Sequence, residues 1–234
     1  MNFKEELKLK FNNYNIDISD IQLNQFEEYY NLLIEWNEKF NLTSITSQSE
    51  VIEKHFLDSV LPMQVFDLNS TIIDIGSGAG FPGIPLKIMR PDLDITLVDS
   101  LNKRITFLET VIDKLSLDSI RAIHGRCEDM AKMPLYREIF DYATARAVAK
   151  LNVLAEYCIP FIKVNGKFVA YKSKDIELEL IESNNAFKSL YFKHIDTINY
   201  SLESGERNIA IFNKFNNTPK IYPRGQNKPR KNPL

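Results

Sequence analysis

Residues 71–86, TIIDIGSGAGFPGIPL, decide the fold. Four of the first five residues are β-branched, Asp74 interrupts them, and Gly76, Gly78 and Gly80 follow at intervals of two, with Gly83 and Pro85 beyond. The pattern is a strand running into a tight turn and then a helix: glycine lets the backbone bend sharply and approach a ligand, and proline suits a helix's first turn. Such a turn serves a phosphate, a nucleoside or a purely structural bend.

Outward from this stretch, β-branched runs alternate with helical patterns. Strands are predicted at 71–75, 94–99, 119–125, 140–145 and 166–172, with helices near 83–89, 102–115, 129–137 and 148–163. Two further runs, 191–202 and 208–215, have no helix between them and read as an antiparallel pair. Alternating βα units imply an α/β fold, a mostly parallel sheet covered on both faces, here with an antiparallel edge hairpin. Before Thr71 there is no convincing strand. Residues 19–37 form an amphipathic pattern opened by a Ser19/Gln22 capping box, and a second helix is predicted at about 49–61. The chain thus divides into an N-terminal helical segment (1–68), a ligand-binding α/β domain (69–215) and a C-terminal tail (216–234).

The net charge of −2 is unevenly spread. Residues 1–70 carry 12 acidic and 5 basic side chains, whereas the last 21 residues carry six Lys or Arg and no acid. A basic end of this kind suits a polyanion-binding arm, with a solvated tail as the plain alternative. The charged N-terminus and the lack of any apolar run of roughly 18 residues predict a cytoplasmic protein with no membrane contact. Cys127 and Cys158 stand far apart and in no metal spacing, so neither a disulfide framework nor a metal site is expected. No coiled-coil or apolar seam argues against a monomer.

Two ligands compete for the glycine turn. Gly78, Gly80 and Gly83 satisfy the G-x-G-x-x-G pattern of a dinucleotide site, a weak signal alone. Asp99, nineteen residues after Gly80 at the end of the next strand, could accept protons from both hydroxyls of an adenosine ribose. Asp74 separates the two: a carboxylate so close to the turn would oppose a pyrophosphate but favour the cationic amino and sulfonium groups of S-adenosylmethionine. The pattern D-x-G-x-G-x-G therefore points to that cofactor.

The fourth strand ends in DYATARAVAK, which lacks the Asn/Asp-Pro-Pro-aromatic turn that serves exocyclic-amine methylation of bases. Neither cysteine lies in a setting suited to covalent pyrimidine C5 chemistry, which needs a nucleophilic thiol. Arg146, flanked by Ala145 and Ala147, could stack on a base or pair with a phosphate, or simply make a salt bridge. Methylation at guanine N7 needs no base and no covalent intermediate, and is compatible with such a site without being selected by it.

Longer blocks go further. WNEKFNLTSI (36–45), KHFLDS (54–59), DIGSGAGFPGIPLKI (74–88), VDSLNKRITFL (98–108), GRCED (125–129), ARAVAKL (145–151), AYK (170–172), GERNIAIF (205–212) and the terminal YPRGQNKPRKNPL together resemble the bacterial ribosomal RNA small subunit methyltransferase G family, also called glucose-inhibited division protein B. The resemblance implies a Rossmann-like class I methyltransferase that uses S-adenosylmethionine to modify N7 of a guanine in 16S ribosomal RNA near the decoding centre, with the 30S subunit or its precursor as partner. It implies cofactor contacts at Gly76, Phe81, Cys127, Glu128 and Arg146, with Asp99 and Ser100 near the ribose, and a basic rim of Lys103, Arg126, Lys172 and Arg207; the acidic-glycine turn adds Asp74 and Gly78 as cofactor-binding candidates. Ala79 stands where relatives often carry proline, and Cys127 where small aliphatic residues are frequent. A small-molecule methyltransferase of the same fold, and a non-enzymatic nucleotide-sensing or assembly module, are the alternatives. His55 and Asp58, one helical turn apart, are expected to bond each other locally or to position substrate.

Overall fold

The computed structural model describes residues 1–146, 148–172 and 176–234. Seven strands, β1 (Thr71–Ile75), β2 (Asp94–Asp99), β3 (Ile120–His124), β4 (Phe140–Arg146), β5 (Ile162–Lys172), β6 (Phe192–Leu202) and β7 (Gly205–Lys214), form one sheet in the order β3-β2-β1-β4-β5-β7-β6. The first five are parallel; β7 runs antiparallel to β5 and β6 antiparallel to β7. The order reverses between β1 and β4, the switch point at which open α/β sheets gather ligands beyond the carboxyl ends of their strands.

Side chains alternate between the two faces of each strand, and two cores result. Ile72, Tyr142, Val169, Tyr171, Ile209 and Ile211 join one core; Ile73, Ala143, Ala145, Phe168, Ala170 and Phe212 join the other. The first face is covered by the N-terminal helices α1 (Phe3–Asn12) and α2 (Asp20–Phe40) and by a helical run in which α3 (Gln48–Val51) passes through a π-type segment at Ile52–Leu57 into α4 (Asp58–Val60). Helices α5 (Gly83–Met89) and α6 (Asn102–Lys114) complete that layer. The second face is covered by α7 (Cys127–Met130), α8 (Leu151–Cys158), α9 (Ile176–Glu182) and α10 (Asn184–Leu190). A last short helix, α11 (Lys228–Lys231), lies in the C-terminal segment.

Local sequence explains most of the differences from expectation. Helix α1 was not predicted, yet Asn2 and Glu5 form a capping box and Phe3, Leu7 and Phe11 bury one face. The helix predicted over 129–137 stops after Met130, because Pro134 cannot donate a helical hydrogen bond and its ring would meet the preceding turn. The one predicted over 148–163 ends as a 3-10 turn at Ile159–Phe161 that contains Pro160, and β5 starts at Ile162. Helices α9 and α10 fill a stretch that carried no prediction. No described helix is long and apolar enough to cross a membrane.

The N-terminal helices are tied to the glycine turn by one buried hydrogen bond. Tyr29 on α2 is fully buried, and its hydroxyl donates to the Ala79 carbonyl at 2.5 Å. Replacing it by phenylalanine strands that carbonyl, so Tyr29→Phe should lower unfolding stability by about 1–3 kcal/mol in a urea titration. A change below a few tenths would mean the turn does not depend on this bond.

Candidate functional site

A cavity of about 500 Å³ opens at the carboxyl ends of β1, β2 and β4, a size suited to one small organic ligand. Gly76, Gly78, Phe81 and Arg146 supply one wall, Asp99 and Ser100 another, and Arg126, Cys127 and Glu128 a third. Gly76 has φ of +72°, and a Cβ there would sit 2.8 Å from Val148 Cγ2. Gly80, at φ +99°, leaves room for the Tyr29 hydroxyl, which a Cβ would meet at 2.7 Å. The turn thus requires glycine both for conformation and for close packing.

Asp99 is buried and already organised. Its Oδ2 accepts from Gly78 N–H at 3.0 Å and from Arg104 at 3.0 Å, and its Oδ1 from Leu101 N–H at 2.9 Å. The carboxylate at the tip of β2 therefore fixes both the glycine turn and the start of α6. Glu128 is also buried and pairs with Arg126 at 2.9 Å. Burial pulls its carboxyl upward, but Arg126, the backbone and the Cys127 thiol together outweigh that and leave it below the usual range. Cys127 moves the other way: burial, then the neighbouring Glu128 charge, push its thiol well up, so it carries no thiolate for nucleophilic chemistry.

Asp74 departs from expectation. It is fully buried under the turn and does not line the cavity. Its Oδ2 accepts from Gly83 N–H at 3.1 Å, fastening the end of β1 to the start of α5, while Oδ1 has no hydrogen-bond partner among the described residues. Burial pushes its carboxyl up to about 7. The reason is strand alternation: Asp74 shares a face with Ile72 and points into the core, whereas the acids bordering the cavity are Asp99 and Glu128.

The same alternation turns Arg146, two pairs of residues beyond Tyr142, towards the N-terminal helices. Its Nη1 donates to the Lys54 carbonyl at 2.9 Å and to Asp58 Oδ2 at 2.8 Å, its Nη2 to His55 Nδ1 at 3.1 Å, and its guanidinium carbon lies 5.0 Å from the Phe81 ring centre. His55 stacks on Phe81 with centroids 4.3 Å apart. An arginine can only donate, so Nδ1 accepts and the ring proton rests on Nε2, which faces Thr43 Oγ1 at 2.9 Å. Burial, and next the Arg146 charge, hold this imidazole down at about 3. His55 and Asp58 do not bond each other as expected; the π-type segment between them presents both to Arg146, which bridges them. Ala147, the other flank of Arg146, lies outside the described residues.

A second cavity, of about 600 Å³, adjoins the first and shares His55, Arg146 and Val148 with it. Lys172 and Arg207 line it, together with Lys54, Lys150 and Tyr200. Lys172 pairs with Glu179 at 2.6 Å, and Arg207 approaches Asp58 at 3.5 Å. Arg126 stands at the rim of the first cavity. Lys103 borders neither: it is exposed and donates to the Phe40 carbonyl at 3.0 Å. Sequence reading missed Arg104, Val148, Tyr157, Asn227 and Arg230 as cavity residues. Only Arg104, one turn into the helix after Asp99, had a local signal.

The fold is the one shared by S-adenosylmethionine-dependent methyltransferases. A SAM-dependent methyltransferase from Aquifex aeolicus superposes with a TM-score of 0.55 at 13% identity over 74% of this chain and 96% of that one. M. jannaschii TYW2, solved in complex with AdoMet, gives 0.55 at 16% identity over 69% and 76%. Sequence comparison narrows the class. The family described as rRNA small subunit methyltransferase G matches residues 22–210. Proteins named ribosomal RNA small subunit methyltransferase G from Brevibacillus brevis and Lactococcus lactis subsp. cremoris are 49% and 46% identical, the first over 94% of both chains and the second over 98% of both. The chain belongs to the rRNA small subunit methyltransferase G family.

Two outcomes follow from the geometry. Gly76→Val, which puts a branched side chain against Val148, should abolish S-adenosylmethionine binding in calorimetry while circular dichroism stays native; normal affinity would disconnect this turn from the cofactor. A histidine in the unfolded chain titrates near 6.5, so the stability that depends on a neutral His55 is complete above that pH and is lost as pH falls towards 3. His55→Phe keeps the stack on Phe81 but removes the titration. The stability advantage of the native chain over this variant should shrink between about pH 7 and about pH 4 in denaturant titrations, and a constant difference would place the imidazole in solvent.

Proposed function

We propose that the protein transfers a methyl group from S-adenosylmethionine to N7 of a guanine in 16S ribosomal RNA near the decoding centre, acting in the cytoplasm as a monomer on the 30S subunit or its precursor. The observation that carries this reading is the meeting of two cavities at Arg146, His55 and Val148, which gives a cofactor and a nucleobase adjoining sites. Family membership favours it over a small-molecule methyltransferase of the same fold.

The first cavity fits the cofactor by chemistry as well as size. Asp99 offers carboxylate oxygen at the tip of β2 for ribose hydroxyls, with Ser100 beside it. Gly76 and Gly78 bring bare backbone to the ligand, and Phe81 and the Cys127–Glu128 loop wall the purine. Asp74 acts from beneath by holding Gly83. The bound cofactor supplies an electrophilic methyl group on a sulfonium.

The chain's own contribution is positioning. Guanine N7 already presents a lone pair, so its attack requires no proton acceptor, and bringing it in line with the methyl group outside bulk water accounts for much of the acceleration. The site matches that demand. His55 is neutral with both ring nitrogens engaged, and Arg146 is fixed by three hydrogen bonds and the Phe81 face. N7 methylation leaves a positive charge on the base. The cations around the second cavity are largely balanced, Arg146 and Arg207 by Asp58 and Lys172 by Glu179, which limits repulsion of that product. The exposed Lys103, Lys220, Lys228 and Lys231 enter no described ion pair and suit phosphate contacts, along with Arg126 at the rim.

16S RNA from cells lacking this protein should lose one 7-methylguanine, read as the disappearance of one borohydride/aniline cleavage product, and the purified protein with S-adenosylmethionine should restore it. An unchanged cleavage ladder would refute the assignment.

A further inference from the structure

Two residues lining the first cavity, Asn227 and Arg230, come from the basic C-terminal segment. That segment is held at several points. Arg137 donates to the carbonyls of Thr218, Pro219 and Tyr222 on the segment and to Ala131 on the domain. Farther along, Arg224 gives its backbone N–H, Nε and Nη2 to Glu156 at 2.7–3.1 Å, and the Glu156 side chain is wholly buried in α8. Beyond that anchor Pro229 is buried and Leu234 packs against the core of the second face. With Arg224 and Leu234 both fixed, residues 227–230 are laid along the edge of the cavity. Arg230 donates to the Val148 carbonyl at 3.2 Å, and Tyr157 lines the cavity with it.

Charge pairing sets Arg230 apart. The other arginines at this cavity are each matched to a carboxylate: Arg104 to Asp99, Arg126 to Glu128 and Arg146 to Asp58. Among the described residues no ion pair includes Arg230. Its position is also defined, since α11, which carries Arg230, and α7, which carries Cys127 and Glu128, both pack on α8. Arg230 therefore stands on the side of the cavity that α7 and α8 form, beside Val148.

We infer that the C-terminal segment is part of the cofactor site, with Arg230 closing the outer wall over the purine and Asn227 beside it. A planar guanidinium with no carboxylate partner can lie over a purine face or donate to its ring nitrogens. The segment then serves the cofactor directly, in addition to any phosphate contacts its lysines make. The inference rests on the reading of the first cavity as the S-adenosylmethionine site, and the experiment separates the two.

Calorimetric titration of the full-length protein with S-adenosylmethionine and with 5′-methylthioadenosine, which lacks the amino-acid end, is the test. Arg230→Ala should weaken both ligands by the same factor, roughly tenfold. Its urea midpoint should not move, because the side chain is exposed and the Arg224–Glu156 anchor is untouched. Lys231→Ala, on the same segment but outside the cavity, should bind both ligands normally. Unchanged affinities in Arg230→Ala would overturn the inference, as would a loss confined to S-adenosylmethionine, which would put Arg230 at the amino-acid end. If the native chain itself bound neither ligand, the cofactor reading would fail first.

Discussion

Arg146 is the junction on which the site depends. It ends β4 at the switch point of the sheet, reaches across to His55, Asp58 and the Lys54 carbonyl, and lies over the Phe81 ring of the glycine turn. Three parts of the chain far apart in sequence are thereby locked at one point. The arrangement is nearly dry, with the Arg146 and Asp58 side chains 13% and 8% exposed. A buried ion pair of this kind adds little net stability but is expensive to break, because either partner alone would be an uncompensated buried charge. Its value is geometric: the guanidinium has few alternative positions, and the cavities on either side inherit that rigidity.

The electrostatics around this junction follow one pattern. Most charges near the ligand space are met by their opposites, as in Asp99 with Arg104, Glu128 with Arg126 and Lys172 with Glu179, and Arg230 is set apart from them. The groups that could serve acid–base chemistry are muted: His55 is held neutral, Cys127 is held as a thiol, and Asp74 is turned away from the cavity. A site so arranged orients its ligands and does not exchange protons with them. That is the requirement of transfer to a lone pair already present on an aromatic ring.

Much of the fold was legible because periodicity is a local property. The βα order from Thr71 to Lys172, the edge hairpin and helix α2 with its capping box all stand in the structure, with bounds close to expectation except in the helices after β3 and β4, which end early. Helix α1 was obscured by its high charge, although Phe3, Leu7 and Phe11 carry a clear stripe. The direction in which a side chain points across a sheet was harder to read. Asp74 looked like a ligand contact from its place beside the glycines, yet strand alternation sends it into the core. Local proximity suggested that His55 and Asp58 would meet, but a π-type segment and a distant arginine separated them.

The sequence by itself determined the order of strands and helices, the glycine turn, the acid at the tip of β2 and the family, because each is written in short-range spacing or in blocks of residues read in order. Tertiary structure alone decided which of these residues share a cavity. The contact of Arg146 with His55 spans 91 positions, and Glu156 meets Arg224 across 68. No local pattern encodes such separations; they arise only when the sheet twists its strand ends together and the helices bury their apolar faces against it. The basic tail shows the difference most plainly. Its charge was visible in the sequence, but its course along the cavity depends on a buried carboxylate in α8 that the tail could find only in the folded chain.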